Sequence, residues 1–125
     1  MINILRGGAC LLTIAIITLS LVPPSFRAVT AIPHVLEHAA PFLVIGLMFG
    51  LGYRSHHLLQ GISLSVFAGL IEVAQFWSPG RHPRWADFVV DSISACSGVL
   101  AAWLIRSAVR VVRYRPEETG NSAQQ

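Results

Sequence analysis

Four long apolar segments, separated by short polar stretches, dominate the chain. They cover about residues 4–22, 39–53, 58–77 and 85–105. A helix rising 1.5 Å per residue needs about 20 residues to cross a lipid bilayer. The second segment is too short by itself, so its helix should begin near Pro33 or His34. The pattern predicts an all-α fold: a four-helix transmembrane bundle over residues 1–115, followed by a disordered polar tail, residues 116–125.

The first segment has a second interpretation. It ends at Pro23-Pro24, and a proline pair stops a helix. A secretory signal peptide, with Arg6 in its basic region and cleavage near Ala31, would leave three helices. The length of the segment favours a retained membrane helix.

The acids of the apolar part of the chain fall at one end of these segments. Glu37 and His38 lie near the start of the helix predicted for the second segment. Glu72 and Gln75 lie near the end of the third segment, and Asp87 and Asp91 lie near the start of the fourth. In a chain that crosses a membrane and returns, these three points lie on one side. Carboxylates at membrane depth are costly and usually mark a functional site. The predicted ligand-binding residues are His38, Glu72, Gln75, Arg81, Asp87 and Asp91.

Charge and composition indicate the orientation and exclude one class of partner. The chain is 54% hydrophobic and 12% charged, with a net charge of +3. All its basic residues other than histidine are arginines, at positions 6, 27, 54, 81, 84, 106, 110, 113 and 115. With both termini cytoplasmic, only Arg27, Arg81 and Arg84 lie outside, as the positive-inside rule favours. This predicts a multi-pass protein of the bacterial plasma membrane. Nucleic acid is not an expected partner, because the arginines flank apolar runs.

Small and polar residues recur at helical spacing. Asp87, Asp91, Ser94 and Gly98 share one face of the fourth segment, and Gly46 and Gly50 continue the second. Such stripes let helices approach closely in lipid. A tight bundle whose polar groups only satisfy one another is therefore one explanation of the polar residues.

A longer motif resembles a known family. The run Glu72-x-x-Gln75, the turn Pro79-Gly80-Arg81, Asp87 and the His38-x-x-x-Phe42 motif together resemble the VanZ-like membrane proteins. The resemblance covers residues 19–104. It implies a role in the cell envelope, since the family is named for a protein linked to resistance to the glycopeptide teicoplanin.

The chain departs from the family pattern at charged positions. His34 and Val35 stand where the family has Asp and Lys, and Asp91 and Ser94 stand where it has Asn and Gly. These changes alter the charge of the site, so a family ligand need not transfer.

A competing motif would bind a metal. His34-Val-Leu-Glu37-His38 fits the order H-x-x-E-H of some zinc proteases, with Glu72 or Asp87 available as a third ligand. Five-residue patterns of this kind arise often by chance, and the preferred interpretation includes no metal and no cofactor.

Three functions of different class fit these residues. The first is a non-enzymatic envelope protein that binds a lipid headgroup, a cell-wall precursor or an antibiotic, with Arg81 contacting an anion. The second is an intramembrane enzyme for a lipid-linked substrate, with Glu72 or Asp87 as general base. The third is a structural subunit that binds other envelope proteins. The first is preferred.

Overall fold

The computed structural model describes residues 2–22, 33–78, 80 and 83–113. They form helices α1 (Ile2–Leu21), α2 (His34–Gly52), α3 (His57–Ala74) and α4 (Trp85–Arg113), with a 3₁₀ turn at Gln75–Trp77 after α3. No strand occurs in these ranges. All four helices are long and apolar enough to cross a membrane, so the predicted all-α four-helix fold is confirmed. Pro23-Pro24, Ala31, Arg81 and the expected tail lie outside the described residues.

The apolar segments predict the start of α2 correctly but not the end of α4. Helix α2 begins at His34, directly after Pro33, which is where the length of a membrane span places it. Helix α4 instead continues past the apolar segment to Arg113. Residues 106–113 mix arginines with valines, and arginines in a last turn interact favourably with the helix dipole. At about 1.5 Å per residue, this end projects beyond the hydrocarbon layer.

Helices α2 and α4 form the largest interface of the bundle, and two glycines lie at its centre. A Cβ atom at Gly46 would collide with the carbonyl oxygen of Ala95, and one at Gly98 with that of Leu43. The two backbones therefore touch. In lipid the hydrophobic effect does not draw helices together. Close packing of the two backbones stabilises the contact instead.

The core surrounds this glycine contact. Phe42 and Ile45 of α2 pack with Leu64 and Ala68 of α3 and with Val99 of α4. Helix α1 lies at the periphery, where only Ala9 and Ile16 are buried. Many large apolar side chains face outwards, as expected where lipid covers the surface.

Arginines mark the end of the bundle opposite to the acids. The Arg6 guanidinium stacks 4.6 Å from the centre of the Tyr53 ring, and its Nε donates to the carbonyl of Gly52 at 3.1 Å. Arg106 Nη1 donates to the carbonyls of Gly50, at 2.6 Å, and Tyr53, at 3.1 Å. These bonds satisfy carbonyls that the end of α2 leaves without helical partners. The bundle therefore has a basic end and an acidic end.

Candidate functional site

The acidic end joins all four helices. Helix α2 starts there, α3 ends there in its 3₁₀ turn, and α4 starts there. Ser78 Oγ donates a 2.8 Å hydrogen bond to the carbonyl of Leu21, which fixes the end of α1 at the same level. Gly80 has φ 77°, a conformation that favours glycine, so the chain turns sharply between α3 and α4.

His38 and Asp91 form the innermost contact. Asp91 is 1% exposed, and its Oδ2 lies 3.4 Å from His38 Nδ1, at hydrogen-bonding distance. The second ring nitrogen of His38, Nε2, lies 4.0 Å from Asp87 Oδ2. Because Asp87 and Asp91 are one turn apart on α4, the ring of His38 lies between their carboxylates.

Glu72 completes the group from α3. It is 7% exposed, and its Oε2 accepts a 3.1 Å hydrogen bond from the backbone N–H of Arg84. One ligand atom each from His38, Glu72 and Asp91 lie within 4.8 Å of one another. We call His38, Glu72, Asp87 and Asp91 the acidic cluster. It draws on three helices.

Two oxygens of the acidic cluster have no hydrogen-bond partner within the described part of the chain. They are Oε1 of Glu72 and Oδ1 of Asp91, both on side chains that are more than nine-tenths buried. Buried polar atoms are nearly always bonded, and an unbonded one costs about 1–3 kcal/mol. The acidic cluster therefore holds two buried acceptors whose hydrogen-bonding capacity is unused within the described residues.

The structure brings together four of the six predicted ligand-binding residues, namely the acidic cluster. The fifth, Gln75, is 4% exposed on the 3₁₀ turn one turn beyond Glu72, and its Nε2 has no described partner. The sixth, Arg81, lies outside the described residues. Its predicted pairing with Glu72 and Asp87 therefore stays a prediction.

Sequence reasoning missed the donor that holds Glu72. That donor is the main-chain N–H of Arg84, just before α4. Every residue type except proline has this group, so the sequence does not indicate which N–H will bind a side chain. Glu37 was grouped with His38 in the sequence. In the structure Glu37 and His38 both border a hollow against Leu12, Leu19 and Ser20 of α1, but Glu37 belongs to none of the acidic-cluster contacts described above.

The proposed H-x-x-E-H metal site involves a different set of residues from the acidic cluster. The side chain of His34 lies outside the described part of the chain, and Glu37 is not among the residues whose ligand atoms converge. The residues whose ligand atoms converge are His38, Glu72 and Asp91. This set contains one imidazole and two carboxylates, a combination that divalent metal ions accept.

An apolar groove leads to the acidic cluster along the outside of α3 and α4. Two adjoining hollows, of about 800 Å³ and 310 Å³, share Val66, Gly69 and Phe88. The larger runs towards the basic end, and the smaller ends at Glu72 and Arg84. We call the two hollows together the α3–α4 groove. It joins a long apolar surface to a buried carboxylate.

Comparison with known proteins adds no relative. No known protein family, no curated protein and no solved structure matches the chain. The class that fold and site define is a four-helix membrane-spanning protein with an acidic cluster at one end.

Proposed function

We propose that this multi-pass protein of the bacterial cell envelope binds an amphiphilic envelope molecule. The headgroup lies at the acidic cluster and the apolar tail lies in the α3–α4 groove. The observation that carries the proposal is that Glu72 belongs to both: it lines the groove and is a member of the cluster. A tail in the groove would therefore bring its headgroup to a buried carboxylate.

The free acceptors specify the chemistry of the headgroup. Glu72 Oε1 and Asp91 Oδ1 need donors, so a headgroup with hydroxyl or amino groups fits. Sugar-bearing lipids and lipid-linked cell-wall precursors have such groups. If Arg81 contacts an anion as expected from the sequence, a phosphate next to those groups would be bound as well.

The charge distribution supports an orientation. Arg54, Arg106, Arg110 and Arg113 border one hollow at the basic end. Cytoplasmic ends of membrane proteins carry the excess of arginine. We therefore propose that both termini are cytoplasmic and that the acidic cluster faces outwards. The resemblance to the VanZ-like proteins supports the same envelope role.

Cysteine labelling tests this orientation. In a Cys10→Ser, Cys96→Ala background, a membrane-impermeant maleimide should label Ala86→Cys in intact cells. It should label Ser55→Cys only after lysis, because Ser55 lies in the α2–α3 loop at the basic end. Both positions are exposed. The reverse pattern would place the acidic cluster in the cytoplasm and overturn the envelope proposal.

Photo-crosslinking tests the binding itself. The probes are a glycolipid and a phosphatidylcholine that carry the same diazirine in the acyl chain. We expect the glycolipid to cross-link to the α3–α4 groove in preference, because its hydroxyls are donors and the choline headgroup has none. Val66→Trp, which fills the groove, should abolish the preference. Ile93→Trp is the matched control, since Ile93 is 62% exposed on α4 and lines neither hollow of the groove.

A separate variant, Glu72→Gln, tests the contact between the headgroup and the acidic cluster. Glu72→Gln keeps the shape of the side chain and loses its charge, so glycolipid cross-linking should fall by about 10-fold or more, as loss of a charged hydrogen bond predicts. Glu37→Gln should leave it unchanged. Equal cross-linking of both lipids in every variant would mean ordinary bilayer contact. If the protein chemically converted the glycolipid and Glu72→Gln abolished this conversion, the enzyme hypothesis would replace the binding proposal.

A further inference from the structure

We propose that His38, Glu72 and Asp91 bind a divalent transition-metal ion at the acidic end of the bundle. This inference goes beyond the proposed lipid binding and does not depend on it. It uses a different ligand set from the H-x-x-E-H motif: one residue from each of α2, α3 and α4.

The distances fit an ion with little rearrangement. Metal–ligand bonds of about 2.0–2.1 Å in a tetrahedral site place neighbouring ligand atoms about 3.3 Å apart. His38 Nδ1 and Asp91 Oδ2 are already 3.4 Å apart. One ligand atom from each of His38, Glu72 and Asp91 lies within 4.8 Å of the other two, so a movement of the Glu72 side chain towards the pair would complete three ligands.

The unbonded oxygens provide the independent argument. A structural cluster that had satisfied itself would leave no buried acceptors, yet Glu72 and Asp91 each have one without a described partner. Asp91 is 1% exposed, so water does not replace that partner easily. A cation shared by the two carboxylates would compensate both charges at once, which matters most where the surroundings are apolar.

Asp87 would act as a positioning residue. Metal-binding histidines commonly donate their second ring N–H to a carboxylate, which fixes the orientation of the ring. Here His38 Nδ1 would bind the ion, and the N–H on Nε2 would point to Asp87 Oδ2, now 4.0 Å away. The arrangement places the second carboxylate of α4 where such a partner is needed.

The donor set selects the class of ion. One imidazole and two carboxylates suit Zn²⁺ and Mn²⁺, and the absence of a thiolate among these three ligands disfavours Cu⁺. Three protein ligands leave at least one coordination position open, as in catalytic zinc sites. A hydroxyl oxygen of a bound headgroup could occupy that position, so the ion and the lipid are compatible.

Metal binding to the purified full-length protein tests the inference. After treatment with a chelator and delipidation in detergent, the protein should bind one equivalent of Zn²⁺, and Co²⁺ should give the visible absorption of a low-symmetry site. His38→Ala, Glu72→Gln and Asp91→Asn should each lose this binding. Asp87→Asn should weaken it by about 10–100-fold, as for other partners of metal-binding histidines.

Controls separate this site from accidental histidine binding and from the lipid proposal. Glu37→Gln and His57→Ala should keep the full equivalent, because Glu37 is not one of the three converging residues and His57 lies at the basic end. Val66→Trp should also keep it, since the groove is not part of the ligand set. Zn²⁺ should raise the melting temperature of the wild type and not of Asp91→Asn. Unchanged binding in the Glu72 and Asp91 variants, or no binding by the wild type, would overturn the inference.

Discussion

Replacing Gly98 with alanine should strongly destabilise the bundle. The added Cβ would overlap the carbonyl of Leu43 and lie 2.7 Å from the backbone nitrogen of Leu47. Backbone atoms cannot rotate away as a side chain can, so α2 and α4 would have to separate. We expect a cost at or above the upper end of the about 1–3 kcal/mol typical of overpacking. The measurement is the free energy of unfolding in detergent.

The matched control, Gly7→Ala, should change the free energy of unfolding in the opposite direction. A methyl group added at Gly7 in α1 would meet no atom of a neighbouring helix within 4 Å. Gly7→Ala should therefore stabilise the protein slightly, because alanine favours a helix over glycine by about 1 kcal/mol. If Gly98→Ala were as stable as Gly7→Ala, the backbones of α2 and α4 would not be in contact.

The helices were predictable from the sequence because membrane thickness fixes their length. The start of α2 shows this best: its apolar run is too short, and the missing residues lead back to Pro33, where the structure begins the helix. The far end of α4 was not predictable in the same way. Beyond residue 105 the helix leaves the hydrocarbon layer, so apolar length no longer determines where it stops.

The small-residue stripes predicted which faces meet, but not which side chains pair. Gly46 and Gly98 were assigned to close-packed faces, and they do lie at the α2–α4 contact. Asp87 and Asp91 share one face of α4 and differ in depth by one turn, about 5.4 Å. Only the axial offset of α2 against α4 decides that His38 lies nearest to Asp91, and the sequence has no measure of that offset.

Removing His38 should cost more stability than removing both His38 and the charge of Asp91. In His38→Ala the Asp91 carboxylate, 1% exposed, loses the only partner described for it. Leaving a buried polar group without its hydrogen-bond partner typically costs about 1–3 kcal/mol, and more when the group is charged. Adding Asp91→Asn removes the uncompensated charge, so the double variant should regain much of that loss. Unfolding is measured with a chelator present, so that no bound cation contributes.

A double-mutant cycle makes the comparison quantitative. We expect a coupling energy between His38 and Asp91 of about 1–3 kcal/mol, in the range found for residues in direct contact. Glu37 and Asp91 provide the control cycle, since the described partner of Asp91 is His38 and not Glu37, and their effects should add within about 0.5 kcal/mol. Additive effects of His38 and Asp91 would show that the pair contributes nothing specific. The acidic cluster would then lose its centre, because His38 is the residue that links the carboxylates of α4 to α2.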